Sequence, residues 1–337
     1  MLIRNISVGI SLIVFSISLG AQPRQKQMAA LSGTIVSVGS DTMKPLIEKW
    51  SEQFQKQHSG VEFSIETRGS GTAAAALTDG RSQIAPMSRP MEATEVAAFG
   101  ERYGYAPTGI RVALDAVAIY VHRDNPIQGL TLQQLDGIYS VGQRCGGKRI
   151  ERWNDLLKDW KKDPIAIVGR DKLSGTHDFF RAQAMCKGDF ASNYEPMSDS
   201  SHVVWKVAQA HNAIGFAGVG YLTSYTRLVP LAKQAGDPFV SIIEENPEAI
   251  DLPLEQRRFA NVLSGKYPLS RFLYIYVNKP PNKQVSPLIE EFLKFVLSSD
   301  GRDAVATSGF IPLSGDNAAE QMKRLDRGYL RQWWGHD

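Results

Sequence analysis

Three times in this chain a short apolar run ends in a tight turn of Gly, Ser and Thr, and the turn gives way to a helical period. Gly33–Val38 is β-branched and stops at Gly39; from Thr42 onward Met43, Leu46, Ile47, Trp50 and Phe54 share one helical face. Pro45 lies in that helix's first turn, where a missing N–H does no harm. Val61–Ile65 alternates like a strand, Arg68-Gly-Ser-Gly71 turns, and Thr72–Leu77 is an Ala-rich helix. Ile165–Val168 is a strand, and Ser174-Gly-Thr176 opens a helix through Phe179, Phe180, Ala184 and Met185. Strand signals over Ile84–Met91, Val112–Val121, Ala213–Gly218 and Leu273–Val277 alternate with helical ones over Leu130–Tyr139, Val203–Ala210, Val285–Leu297 and Gly301–Ser308. A chain that alternates in this way is committed to parallel sheets with helices on both faces. The stretch from Val229 to Pro253 carries no period, because Pro230, Gly236, Pro238 and Pro247 interrupt it.

The first 21 residues stand apart from this pattern and read as a signal peptide. Arg4 supplies a positive start, Ile6–Leu19 is apolar and uncharged, and Ser18, Gly20 and Ala21 suit cleavage near Gly20-Ala21. The apolar stretch is shorter than the roughly 20 residues that span a bilayer, so a cleaved, exported, periplasmic protein is expected. In an oxidising compartment the two cysteines, Cys145 and Cys186, are expected to form a disulfide. The formal net charge of +3 is mild and evenly spread, with no basic stripe that would track nucleic acid.

The corners carry the chemistry. A helix start leaves backbone N–H groups unpaired and bears partial positive charge. Glycine lets an anion approach the backbone, and Ser and Thr hydroxyls add donors beside it. At any one corner the hydroxyls can be plain helix caps. Three corners together, with Arg68 and Arg170 beside two of them, point to an anion site. The fork of Arg170, four residues before Ser174-Gly-Thr176, suits bidentate contact with an oxyanion. Arg89, beside Ser88, serves either the anion or the brace of its own lobe.

Catalytic patterns are lacking. There is no Gly-x-Ser-x-Gly elbow, and His177 falls inside a helix, where packing or surface polarity accounts for it. None of the six histidines has a partner at metal-ligand spacing, so no metal or cofactor is expected. Gly142–Lys148 resembles a P-loop but ends in Arg149 and contains Cys145, so no ATP site is expected.

Gly39-Ser-Asp-Thr-Met-Lys-Pro-Leu, Arg68-Gly-Ser-Gly-Thr, Met87-Ser-Arg-Pro-Met and Arg170…Ser174-Gly-Thr176 resemble, in order, the signature of phosphate-binding proteins of phosphate ABC transporters. Ala213–Gly218, Tyr267–Arg271 and Gly309–Leu313 look like later segments of that family. The resemblance implies an α/β type II periplasmic-binding-protein fold, with two lobes joined by a double-crossing hinge. Lobe one would take residues 31–115 and 276–337, and lobe two 116–275. It also implies a phosphate pocket lined by Asp41, Thr42, Ser70, Ser88, Arg170, Ser174, Gly175 and Thr176. The expected protein is a non-enzymatic monomer whose partner is a membrane ABC permease. Relatives carry an Asp where this chain has Ser88, which leaves Asp41 as the carboxylate to read a bound proton, and leaves open another oxyanion as ligand or a scaffold role for the fold.

Overall fold

The computed structural model describes residues 31–160, 162–243 and 258–326. The expected leader therefore lies outside the described residues. In chain order the first elements are β1 (Ser32–Gly39), α1 (Lys44–Gln57), β2 (Gly60–Thr67), α2 (Ser70–Asp79), β3 (Ile84–Met87), α3 (Ala93–Tyr103) and β4 (Thr108–His122). Then come β5 (Leu130–Thr131), α4 (Leu132–Tyr139), β6 (Ala166–Arg170), α5 (Gly175–Ala184), β7 (Tyr194–Met197), α6 (Ser200–Gln209), β8 (Ala213–Gly218), β9 (Thr226–Leu228) and β10 (Leu231–Ala232). The chain closes with α7 (Ala260–Leu263), β11 (Ser270–Val277), α8 (Pro287–Leu297), α9 (Ser299–Thr307), β12 (Ile311–Pro312) and α10 (Gly315–Asp326).

The architecture hangs on β4, which at 15 residues is far longer than the usual strand of about 5–6. Its first part, Thr108 to Ala116, pairs with β11; its second, Val117 to His122, pairs with β8 and β9. One strand thus joins two halves of a ten-stranded sheet whose path runs β2-β1-β3-β11-β4-β8-β6-β7, with β9 and β12 pairing β4 beside it. The return passes beside it, where the Val117 N–H donates to the Leu269 carbonyl at 2.9 Å and β11 begins at Ser270. The expected lobe border at 275/276 falls within β11, which runs Ser270–Val277.

The parallel expectation holds away from the crossing. Within the first half, β1 runs parallel to β2 and β3; within the second, β6 runs parallel to β7 and β8. It fails at the centre, where β11 is antiparallel to β3 and β4, and β4 is antiparallel to β8. A chain that leaves one half and comes back must run both ways past the crossing, so the sheet is mixed.

Each half has its own aromatic packing. Phe54 meets Phe292 edge-on at 5.3 Å between helices of the first half, and Phe180 stacks on Phe216 at 4.0 Å in the second. Parallel strands packed on both faces place their carboxyl ends, and the helix starts that follow them, at the junction between halves.

Candidate anion-binding site

Every residue expected to line the pocket lies buried at this junction: Asp41, Thr42, Ser70, Ser88, Arg170, Ser174 and Thr176 are each at most 3% exposed, and Gly175 is buried with them. The first half contributes three corners. Asp41 and Thr42 sit in a 3-10 turn after β1, Ser70 opens α2, and Ser88 follows β3. Ser40 joins them, donating to Ser88 Oγ at 3.1 Å, while Ser70 Oγ accepts from the Ser88 backbone N–H at 3.0 Å.

The second half brings the start of α5 against these hydroxyls. Ser174 is the N-cap of α5, its Oγ accepting from the Thr176 N–H at 3.1 Å. The helix cap is thus also a residue expected to line the pocket. Thr176 Oγ1 lies 2.9 Å from Thr42 Oγ1, and the Gly71 N–H donates to the Leu173 carbonyl at 3.2 Å. Gly69 has φ +143, and a Cβ there would stand 2.2 Å from the Leu173 oxygen. Only glycine lets the two corners touch at that point.

Two buried ion pairs flank the hydroxyls. Arg170, fully buried, donates from Nη2 to Asp41 Oδ1 at 2.5 Å and to the Ser198 carbonyl at 2.9 Å, from Nη1 to Ser200 Oγ at 2.9 Å, and from Nε to the Met197 carbonyl at 3.3 Å. The other Asp41 oxygen, Oδ2, accepts from the Ser200 N–H and hydroxyl at 3.1 and 3.2 Å. Arg170 and Asp41 therefore satisfy each other across the junction and grip the start of α6.

The second pair was not singled out from sequence. Arg271 donates from Nε and Nη2 to Asp115 Oδ2 at 2.9 and 2.6 Å, and from Nη2 to Thr176 Oγ1 at 2.9 Å. Its Nη1 is buried and has no hydrogen-bond partner among the described residues. Burial pushes the Asp115 carboxyl above its ordinary value despite Arg271, and burial pulls the Arg271 guanidinium below its own. Asp115 lies on β4 and Arg271 on β11, so both sit at the hinge in no Gly-Ser-Thr corner.

The remaining cations stay outside. Arg68 is exposed. Arg89 is held by Glu95 at 2.7 and 2.9 Å and reaches Asp178 of α5 at 2.9 Å, so it braces one half and ties it to the other. Serine and threonine hydroxyls, a helix start and a spare guanidinium donor thus come together buried at the junction, a donor-rich set of the kind that suits a small oxyanion.

Residues 24–300 match a family model described as a PBP superfamily domain. The phosphate-binding protein PstS of Pseudomonas aeruginosa is 44% identical over 308 residues, covering 90% of this chain and 91% of its own length. The phosphate-binding protein PstS of Staphylococcus saprophyticus is 30% identical over 295 residues, covering 87% of this chain and 85% of its own. Among solved structures, a Clostridium perfringens protein described as a phosphate ABC transporter substrate-binding protein with bound phosphate aligns at a TM-score of 0.66 and 25% identity, covering 84% of this chain and 100% of that one.

Proposed function

Because this chain belongs to the phosphate-binding proteins of the PBP superfamily, we propose that it captures inorganic phosphate between its two halves and delivers it to a membrane ABC permease. It is a solute-binding protein and not an enzyme. Export with cleavage near Gly20-Ala21 completes the reading; no helix among the described residues is long and apolar enough to cross a membrane.

The observation that carries this reading is the buried meeting of Ser40, Ser70 and Ser88 with the Ser174-Gly175-Thr176 helix start. Both flanking charges are already compensated, Arg170 by Asp41 and Arg271 by Asp115. Backbone N–H and side-chain O–H donors, with the spare Arg271 Nη1, then do most of the holding, the hydroxyls turning from one another to the anion as it enters. Arg170 acts as the strut that sets the geometry. Asp41 has both oxygens engaged, so it serves the strut before it serves a proton on the ligand. The described residues of 31–116 and 270–326 make one lobe and those of 117–269 the other, with β4 and the Leu269–Ser270 return as the hinge.

Calorimetric titration of the mature protein with phosphate, arsenate, sulfate and molybdate tests the reading. Phosphate should bind at one site and raise stability by about 2.7 kcal/mol at a hundredfold excess over Kd. Arg271→Lys keeps the charge beside Asp115 but loses the fork, and should weaken phosphate about tenfold or more. No response to any oxyanion would favour a scaffold role instead, and tighter binding of sulfate than phosphate would reassign the ligand.

A further inference from the structure

We propose that His122, Asp124 and His211 form a site for a late first-row divalent metal ion, zinc foremost, at the end of the second half remote from the anion site. One ligand atom from each of the three lies within 4.8 Å of the others. Linear spacing among the histidines gives no such signature, which is why no metal site was expected; strand pairing makes the juxtaposition. His122 ends β4, His211 lies in the turn before β8, and the two strands pair antiparallel with Val121 opposite Ile214. The two imidazole centroids come to 3.9 Å.

The geometry suits a small, tetrahedrally bound ion. His122 Nδ1 and Asp124 Oδ2 are 3.6 Å apart, against an edge of about 3.4 Å for a tetrahedron with bonds of about 2.1 Å. The Asp124 backbone N–H donates to the same Nδ1 at 3.2 Å, a long bond that an ion on that lone pair replaces. Arg123 lies 3.9 Å from the other carboxylate oxygen, Oδ1, with its guanidinium 5.4 Å from the Tyr225 ring centre. Oδ2 is thus left facing the imidazole. Two imidazole nitrogens and one carboxylate suit zinc and its neighbours better than calcium or magnesium, which take all-oxygen shells. His122 is buried on a strand while Asp124 and His211 are exposed, so a fixed ligand meets two that can adjust, with solvent to fill the remaining position.

The two sites are separable. Val117 pairs with Gly218 at the anion end of β4, and about 3.3 Å per residue puts His122 about 17 Å further along the strand.

The test uses tag-free, chelator-stripped mature protein titrated with Zn2+ against a chromophoric competitor, with Co2+ absorption as a second readout. One equivalent should bind. His211→Ala, an exposed substitution that the fold tolerates, should abolish both signals, and Asp124→Asn should weaken binding about tenfold or more. His202→Ala removes an exposed histidine paired with Asp199 on α6 and should change neither, and phosphate affinity should be the same in all variants. Failure to bind one equivalent of zinc, zinc retained in His211→Ala, or equal loss in His202→Ala would overturn the proposal.

Discussion

At the first residue of α5 a side chain has no room: a Cβ on Gly175 would stand 2.3 Å from Ser70 Oγ and 2.8 Å from Ser88 Oγ. Those hydroxyls belong to the opposite half, so the clash is relieved by separating the halves and not by unfolding either. Gly175→Ala should therefore leave the midpoint of thermal unfolding without phosphate nearly unchanged and remove most of the rise that phosphate produces. Calorimetry giving wild-type phosphate affinity for this variant would show that the corners need not touch. The corners at Asp41-Thr42, Ser70 and Ser174-Gly175-Thr176 are legible because strand, Gly-Ser-Thr run and helix follow one another in sequence. What was not legible is how Arg170 is used, since Asp41 and the carbonyls of Met197 and Ser198 reach it from far along the chain. Arg271 and Asp115 were missed for a related reason. They lie on adjacent antiparallel strands, and Arg271 pairs opposite Asp115 by register, which no local pattern announces.

Among the elements, the excursion between α4 and β6 is held by features that sequence showed only in part. The expected disulfide is formed, with the Cα atoms of Cys145 and Cys186 5.4 Å apart. Around it Gln143, Cys186 and Lys187 all take positive φ without being glycine, an arrangement that costs free energy and is kept because its surroundings impose it. Asp136 assists, accepting from the Cys145 N–H at 2.8 Å. With a sequence separation of 41 residues, the bridge contributes about 4 kcal/mol in the chain-entropy model. Release of the backbone strain on reduction offsets part of that. The double variant Cys145→Ser/Cys186→Ser should lose about 2–4 kcal/mol in denaturant unfolding, with phosphate affinity unchanged, because the loop is outside the proposed site. A large fall in affinity would place it in the binding apparatus. Helix α3 escaped the sequence reading because its start is marked by Glu92 and Glu95, with the Glu92 N–H donating to Glu95 Oε2 at 2.8 Å, instead of by the Ser or Thr that commonly signals a cap.

For the whole molecule the question is what biases the two halves toward contact. Arg170–Asp41 and Thr42–Thr176 lie among the residues of the proposed site, where any change would alter the ligand's surroundings as well. Arg89–Asp178 lies outside it, and Arg89 keeps its two bonds to Glu95 whether or not Asp178 is present. Asp178→Asn therefore loosens closure without stripping Arg89 of its partner or touching the pocket. Affinity for phosphate scales with the population able to close, and a part-exposed pair contributes about 0.5–1 kcal/mol, so the variant should bind about two- to fivefold more weakly at neutral pH. The pH dependence follows from the carboxyl itself. Burial raises the affinity of Asp178 for its proton, but the hydrogen bond from His177 and the Arg89 guanidinium outweigh it and hold the group below the ordinary 3.8. A carboxyl depressed in the closed form stabilises that form fully above its ordinary value, and the contribution is lost as pH falls through the lower one. Wild type and Asp178→Asn should thus differ at pH 7 and converge as acid protonates Asp178. Titration calorimetry across that range, with X-ray scattering to follow the separation of the halves, checks both parts; equal affinities at pH 7 would mean that the pair closes nothing.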